Sequence, residues 1–198
     1  MYKKNINHQP KKIIAVVGMA GSGKTEAVKY LEKKLNCPKI YFPQAIFDQL
    51  KKEGREFNQA NEKKIREKTR QKLGMGAFAI LAMPKIRKLL KNNRIIILES
   101  LYSWDEYKII KNKFRADFIT LAIYASPAAR FSRLSQRPER PIKKYPEFND
   151  RDYKEIEGTD KGGPIAIADA TIINQDSLKE FYKNLNKFIK KIKESYAK

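Results

Sequence analysis

The amino-acid sequence predicts a three-layer α/β fold, in which helices cover both faces of a five-stranded parallel sheet. Short apolar runs alternate along the chain with longer helical segments, as expected of strands joined by helical crossovers. The runs are continuously apolar, which is typical of parallel strands buried on both faces. A glycine-rich turn joins the first run to a helix. With 198 residues, the chain has the size of one domain.

Each strand and helix is predicted from its own local pattern. The five apolar runs that predict strands are 13–17, 39–42, 94–98, 118–124 and 170–173. The segments predicted to be helices are 24–36, which has an apolar face, the charged segments 44–53 and 60–73, the apolar segment 75–92, and 104–113, 127–136 and 150–157. Pro84 is expected to kink or split its helix. A last helix begins near Ser177, and its apolar stripe is expected to dock on the core.

Composition limits the chemistry that the chain can perform. One cysteine, Cys37, and one histidine, His8, exclude an internal disulfide, the common zinc sites and a triad that needs a core histidine. No segment approaches the roughly 20 apolar residues of a membrane span, so we expect a cytoplasmic protein without a membrane partner. Residues 1–11 are predicted to form a polar tail, and 12–198 a single domain.

The net charge is strongly positive. Lysine and arginine number 43 against 22 aspartate and glutamate residues, which gives +21. The lysines are spread over the whole chain. They are consistent either with a solvated basic surface, which we favour, or with a footprint for nucleic acid or another polyanion.

A phosphate-binding motif follows the first predicted strand. Gly18, Gly23, Lys24 and Thr25 satisfy the pattern G-x-x-x-x-G-K-[ST] in the strand–loop–helix context that the motif requires. Glycines let the loop approach phosphate oxygens closely, and the loop amides point at the anion. Lys24 is expected to reach the β- and γ-phosphates, and Thr25 to hold Mg²⁺. The residues predicted to bind nucleotide here are Gly18, Met19, Ala20, Gly21, Ser22, Gly23, Lys24 and Thr25.

With this motif the chain resembles the small P-loop kinases of nucleotides and related metabolites, such as adenylate kinase and dephospho-coenzyme A kinase. It looks most similar to archaeal and bacterial kinase-like P-loop ATPases, and the resemblance covers about residues 12–193. It implies a P-loop NTPase fold that uses ATP and Mg²⁺. It also implies an acceptor-binding excursion after the second strand, at 43–74, and an arginine-rich lid after the fourth, at 138–163.

An acidic residue follows the third predicted strand. The family usually has aspartate there, whereas this chain has Glu99 followed by Ser100. A carboxylate at this place can hold Mg²⁺ through water or accept the acceptor's proton. Glu99 is therefore a predicted catalytic and metal-binding residue, and the alternative is an exposed charge at a strand end.

The segment 126–137 resembles the helix that leads into the family's lid. The resemblance implies that Arg133 lies on the adenine and that Arg137 reaches phosphate. Arg151 is the candidate for neutralising the transferring phosphoryl group. Asn174 directly follows the last predicted strand, and the resemblance implies that the backbone there borders the base, as in dephospho-coenzyme A kinases. The alternative for the arginines is a basic, solvated helix.

The predicted acceptor site departs from the usual composition of the family. In the family a carboxylate often follows the second strand, but this chain has Gln44 there, which cannot take a proton. Arg66 and Arg70 lie one helical turn apart and either grip an acceptor phosphate or belong to an ordinary polar face.

Three further residues have open roles. Tyr102 and Trp104 are positioned to stack on a base, although Trp104 fits the core equally well. Lys161 precedes Gly162 and Gly163 in a turn that either contacts the acceptor or phosphates or is only a tight turn.

These features predict an ATP- and Mg²⁺-dependent phosphotransferase acting on a small phosphorylated or nucleotide-like acceptor. Positioning and charge neutralisation are most of what phosphoryl transfer requires of a protein. Two alternatives remain. One is a nucleic-acid enzyme, either a polynucleotide 5′-kinase or a nucleic-acid-stimulated ATPase, which the positive charge motivates. The other is a non-catalytic ATP-binding switch, which Gln44 motivates.

Overall fold

The protein, analysed as a computed structural model, is described from residue 11 to residue 194. The predicted tail at 1–11 therefore lies outside the described residues except for Lys11, and so does His8. The sheet contains five parallel strands in the order β2-β3-β1-β4-β5, which confirms the predicted fold class. The strands are β1 (Lys12–Val17), β2 (Lys39–Tyr41), β3 (Ile95–Glu99), β4 (Phe118–Tyr124) and β5 (Ala170–Ile173).

Helices join these strands and cover both faces of the sheet. The helices are α1 (Lys24–Leu35), α2 (Gln44–Lys52), α3 (Gln59–Leu73), α4 (Ala77–Asn92), α5 (Trp104–Phe114), α6 (Pro127–Ser135), α7 (Tyr145–Glu157), α8 (Gly162–Ala166) and α9 (Leu178–Glu194). A short 3-10 turn, Arg115–Asp117, lies between α5 and β4.

The core has one apolar cluster on each face of the sheet. Helices α1 and α9 close one face, where Leu31, Phe181 and Leu185 pack on the strands. Helices α4 and α5 close the other face, where Ile86 and Ile110 are fully buried. The apolar stripe of α9 therefore docks on the core, as its sequence predicts.

Two of the predicted helices differ from the prediction, and the short helix α8 stands where only a turn was predicted. Helix α4 runs without a break through Pro84. Pro84 and Ile80 are exposed, so the carbonyl that proline leaves without a partner is on the wet side, where water can satisfy it. Helix α7 begins at Tyr145 rather than at residue 150, because Pro146 is tolerated in a first turn and Phe148 is buried.

The order of the strands defines where a ligand can bind. The central strand β1 pairs with β3 on one side and with β4 on the other. The chain therefore leaves the carboxyl end of β1 at the point where the connections diverge, and open parallel sheets bind ligands in this crevice. Between residues 11 and 194, no helix is long and apolar enough to cross a membrane.

Candidate active site

The loop after β1 has the backbone of a phosphate cradle. Gly21 and Gly23 have φ values of +79° and +101°, which side-chain-bearing residues rarely adopt. A Cβ on Gly21 would lie 2.8 Å from the carbonyl oxygen of Arg130. The hydroxyl of Ser22 is buried and has no hydrogen-bond partner among the described residues. An orphaned buried donor in a loop that leaves no room for side chains fits a loop built around an anion.

Lys24 already lies along this loop. Its ammonium donates a hydrogen bond of 2.8 Å to the carbonyl oxygen of Met19. Burial and the positive charge of Lys161 lower the pKa of Lys24 to about 7. Entry of a phosphate would raise that pKa again, since an opposite charge favours the ammonium. Thr25 is exposed in the first turn of α1, where its hydroxyl is accessible to a metal ion.

A buried ion pair that the sequence analysis did not assign fixes the outer side of the loop. Arg130 binds Asp152 through two hydrogen bonds, of 2.9 and 2.6 Å, and also donates one of 3.2 Å to the carbonyl of Ala20. The guanidinium lies 4.8 Å from the ring centroid of Phe148. The pair therefore connects α7 to α6 and the phosphate loop. Arg130 lies one turn before Arg133 on α6, and that spacing is the one signal in the sequence that could have identified it.

Arg133 and Asn174 meet beside the same loop. Arg133 donates hydrogen bonds to the carbonyls of Gly21 and Asn174, at 3.4 and 2.8 Å. The Asn174 amide donates one of 2.8 Å to the carbonyl of Ser22. Both predicted residues thus contact the P-loop backbone, at the end of β5.

Glu99 lies at the end of β3, next to β1. Its carboxylate is 3.1 Å from the ammonium of Lys39, which also binds Glu32 at 3.2 Å. Glu99 is almost fully buried, so the alternative of an exposed strand-end charge is wrong. The sequence analysis missed Lys39, because nothing in a three-residue strand indicates which acidic side chain its lysine will reach.

A large cavity lies close to Lys24, since three of its lining residues, Arg151, Glu155 and Lys161, interact electrostatically with that lysine. Its volume is about 1370 Å³, which is larger than a typical small-molecule site. Its walls come from the excursion after β2 and from the lid segment. The lining residues used below are Tyr41, Phe47, Phe57, Glu62, Arg66, Arg70, Tyr102, Arg137, Arg140, Arg151, Glu155 and Lys161.

The structure brings most predicted acceptor residues to this cavity, but not Gln44. Arg66 and Arg70 both line it, and the guanidinium of Arg70 lies 5.7 Å from the Phe78 ring. The Nε of Arg70 is buried without a hydrogen-bond partner among the described residues. Gln44 instead starts α2, is exposed, and donates a hydrogen bond of 2.9 Å to Asp48.

The two aromatic residues after β3 have different environments. Tyr102 lines the cavity, and burial raises its pKa to about 12, so the phenol stays neutral. Trp104 does not line it. Its ring stacks on Tyr107 at 5.1 Å between centroids, packs against the apolar core and closes over Gly163. For Trp104 the structure therefore favours the core alternative over stacking on a base.

The lid segment already touches the excursion after β2. Arg140 binds Glu62 through two hydrogen bonds, of 2.8 and 3.3 Å. Arg137 is exposed at the cavity rim. Arg151 is half-buried and lies 3.3 Å from Glu155.

Lys161 is a residue to which the sequence assigned no definite role. It is 3% exposed, and its ammonium lies 2.5 Å from Glu155 and 4.6 Å from the ring centroid of Tyr102. Burial lowers its pKa, and Glu155 opposes that effect. The predicted turn at 161–163 is in fact the start of the short helix α8.

The residues present fit a nucleoside triphosphate with Mg²⁺. The loop glycines, the unpartnered Ser22 hydroxyl and the buried Lys24 ammonium suit phosphate. No group of three or more His, Cys, Asp or Glu side chains within residues 11–194 could hold a metal by itself. Mg²⁺ is commonly held by one or two protein ligands together with substrate phosphates, and Thr25 and Glu99 suit that arrangement.

Comparisons with known proteins support this interpretation of the fold. A family model described as an AAA domain matches residues 14–157. A UPF0200 protein of Pyrococcus abyssi is 37% identical over 182 residues, which are 91% of this chain and 96% of that protein. The chain therefore belongs to the AAA-domain family and groups with the archaeal UPF0200 proteins.

Solved kinases share the fold at low sequence identity. The shikimate kinase of Bacteroides thetaiotaomicron matches with a TM-score of 0.57 and 18% identity, over 90% of this chain and 98% of that one. The gluconokinase of Sinorhizobium meliloti matches with a TM-score of 0.52 and 12% identity, over 89% and 90%. The resemblance to small P-loop kinases is thus confirmed at the level of fold.

Proposed function

We propose that the protein is a kinase that moves the γ-phosphoryl group of ATP to a small, anionic, nucleotide-like acceptor. The observation that carries the proposal is the combination of two features: a phosphate cradle around Lys24, and a basic cavity of about 1370 Å³ whose lining residues Glu155 and Lys161 interact electrostatically with Lys24. A nucleotide switch needs the cradle but not the cavity. A transferase needs both, because donor and acceptor must lie side by side.

On the donor side, the chain's own groups bind and orient the phosphates. The loop amides and Lys24 hold the phosphate oxygens, and Arg133 lies beside the loop for the nucleotide. Thr25 and Glu99 are the residues that would hold Mg²⁺. The metal, when bound, neutralises charge on the β- and γ-phosphate oxygens.

On the acceptor side, the cavity has two kinds of wall. Arg66 and Arg70 supply guanidinium groups that suit a phosphate or a carboxylate. Tyr41, Phe47 and Phe57 form a continuous aromatic wall, with ring centroids 6.2 and 6.1 Å apart. Aromatic faces suit a flat base, and this wall supports a nucleotide-like acceptor over an open-chain acid.

Water exclusion would come from the lid segment. Arg140 and Glu62 hold it against the excursion after β2, over the cavity. A transferase benefits from such closure, because water would otherwise compete with the acceptor for the phosphoryl group.

A transfer assay tests the proposal. The protein is incubated with Mg²⁺ and γ-labelled ATP against AMP, CMP, UMP, GMP, dTMP, dephospho-coenzyme A, shikimate, gluconate and a 5′-hydroxyl oligonucleotide. Shikimate and gluconate are included because the structural neighbours are named for them. We expect label on one nucleotide-like acceptor, and none with Lys24→Ala. Label on the oligonucleotide would favour a nucleic-acid enzyme, and tight ATP binding without transfer would favour a switch.

Two variants of α3 test the acceptor side separately. Arg70→Gln should raise the acceptor KM by roughly 10-fold or more, since a charged hydrogen bond to the acceptor is lost. Lys64→Gln is the matched control, because Lys64 is exposed on the same helix and does not line the cavity. Equal KM values for the two variants would remove Arg70 from the acceptor site.

A further inference from the structure

Lys161 is buried where the donor and acceptor sites meet. Its side chain lines the cavity, yet the residue is only 3% exposed. One partner of the ammonium is the Glu155 carboxylate, at 2.5 Å, and another is the face of Tyr102. Lysine is rarely buried to this extent unless its ammonium is paired with an opposite charge.

The charges around Lys161 are not balanced. Two further cations, Lys24 and Arg151, are electrostatic neighbours of Lys161. Glu155 faces all three cations and is held within hydrogen-bond distance of two of them. The nearby carboxylate of Asp152 is bound by Arg130. Three cations therefore share the carboxylate of Glu155.

Such a cluster is suited to an anion of higher charge. Two neighbouring buried ammonium groups are unfavourable, because each is desolvated and each repels the other. In the ligand-free protein these cations have too little negative charge and too few acceptor oxygens around them. A phosphoryl group supplies both.

We propose that Lys161 is a second phosphate-binding lysine, which contacts the phosphoryl group as it passes from ATP to the acceptor. Glu155 is its positioning residue and holds the ammonium against Tyr102. This inference rests on the proposed function for its reaction, although binding alone can test it.

The transfer step needs no proton from Lys161. The bond from the terminal phosphorus to its bridging oxygen breaks, and the electron pair stays on ADP. A lone pair of the acceptor oxygen forms the new bond to phosphorus. A hydroxyl acceptor releases its proton to solvent, whereas a phosphate oxygen has none to release. Lys161 stays an ammonium ion and stabilises charge on the moving group.

A purely structural role makes a different prediction. In that case the pair with Glu155 merely fastens α8 to α7, and removing Lys161 would alter stability without favouring one nucleotide over another. A contact to the moving phosphoryl group must instead alter the binding of ligands that carry that group and spare ADP.

The experiment measures the dissociation constants of Mg-ATP, of Mg-ADP and of Mg-ADP with aluminium fluoride, by calorimetry. Aluminium fluoride mimics the phosphoryl group in transit and needs no acceptor. Lys161→Met should bind Mg-ADP within about 2-fold of the wild type, and should lose roughly 10-fold or more with aluminium fluoride. Glu155→Gln should lose affinity for the analogue in the same direction. Lys161→Arg should keep most of it.

The matched control is Lys190→Met, which removes the same charge from an exposed position on α9. Thermal melts of each variant check that it is folded. An equal loss for ADP and for the analogue in Lys161→Met, or no loss in either, would overturn the inference.

The two proposals fail in different ways. If the wild type transfers phosphate to no acceptor while Lys161→Met still loses the analogue, the proposed function falls and the role of Lys161 in phosphate binding stands. If the wild type is an active kinase and Lys161→Met binds the analogue normally, the role of Lys161 falls and the kinase stands.

Discussion

The buried Arg130–Asp152 pair gives a sharp prediction about stability. Arg130 is 5% exposed and Asp152 is 9% exposed. Replacing Arg130 with methionine keeps most of the side-chain volume and removes both hydrogen bonds to Asp152 and the one to Ala20. The carboxylate of Asp152 then stays buried without its counter-ion.

The expected loss in the free energy of unfolding is large. Its main cause is the unpaired, buried carboxylate of Asp152 rather than the missing hydrogen bonds. Breaking one partner of a buried ion pair typically costs about 3–5 kcal/mol. For a chain of this length 1 kcal/mol corresponds to roughly 2–4 °C in Tm. Arg130→Met should therefore lower Tm by roughly 6–20 °C. The double variant Arg130→Met/Asp152→Leu should recover most of the loss, since no charge is left behind.

Urea unfolding followed by far-UV circular dichroism measures the free energies. The matched control is Lys154→Met, which breaks an ion pair with Asp150 on the same helix as Asp152, where the two side chains are 73% and 58% exposed. That variant should lose less than about 1 kcal/mol, because the carboxylate it leaves behind is solvated. Similar losses for Arg130→Met and Lys154→Met, or no recovery in the double variant, would refute the reasoning.

Three further predictions concern the loop, the thiol and the buried acid. Gly21→Ala should lose at least about 1 kcal/mol more stability than Gly54→Ala, because both glycines have positive φ but only Gly21 faces a nearby backbone oxygen; equal losses in urea unfolding would contradict this. Burial raises the pKa of Cys37 to about 12, so alkylation at pH 8.5 should be about 10³-fold slower than in urea-unfolded protein; similar rates would contradict it. Burial alone would raise the pKa of Glu155, but Lys161 and the other neighbouring cations lower it overall. The stability that results should be lost as pH falls below about 4. Glu155→Gln should therefore reduce the dependence of the unfolding free energy on pH in acid.

The sequence predicts the fold well because the position of each strand depends on a pattern within a few neighbouring residues. Each of the five strands coincides with a continuous apolar run, and β4 and β5 have the predicted bounds. The phosphate loop is equally local, since its glycines and Lys24 lie within eight residues. Helix α7 is less local: Phe148 stabilises it by packing on Ala20 and Leu134, which the sequence cannot show.

The site is predicted only in part, because its contacts join distant residues. Arg130 and Asp152 are 22 residues apart in the sequence. Lys161, which precedes α8, contacts the ring of Tyr102, which follows β3. Gln44 was placed in the acceptor site from its position after β2, but the first turn of α2 directs it to Asp48 and solvent. Such orientations depend on helix register against the sheet, which periodicity alone does not fix.

The central claim is that the γ-phosphoryl group reaches a small acceptor rather than water. The most direct measurement uses ATP carrying three ¹⁸O atoms on the γ-phosphorus, with the acceptor panel and mass spectrometry of every phosphorylated product. We predict an acceptor that gains a phosphoryl group with all three labelled oxygens, a product that Lys24→Ala does not form. Labelled inorganic phosphate as the sole product, with every acceptor unchanged, would contradict the claim.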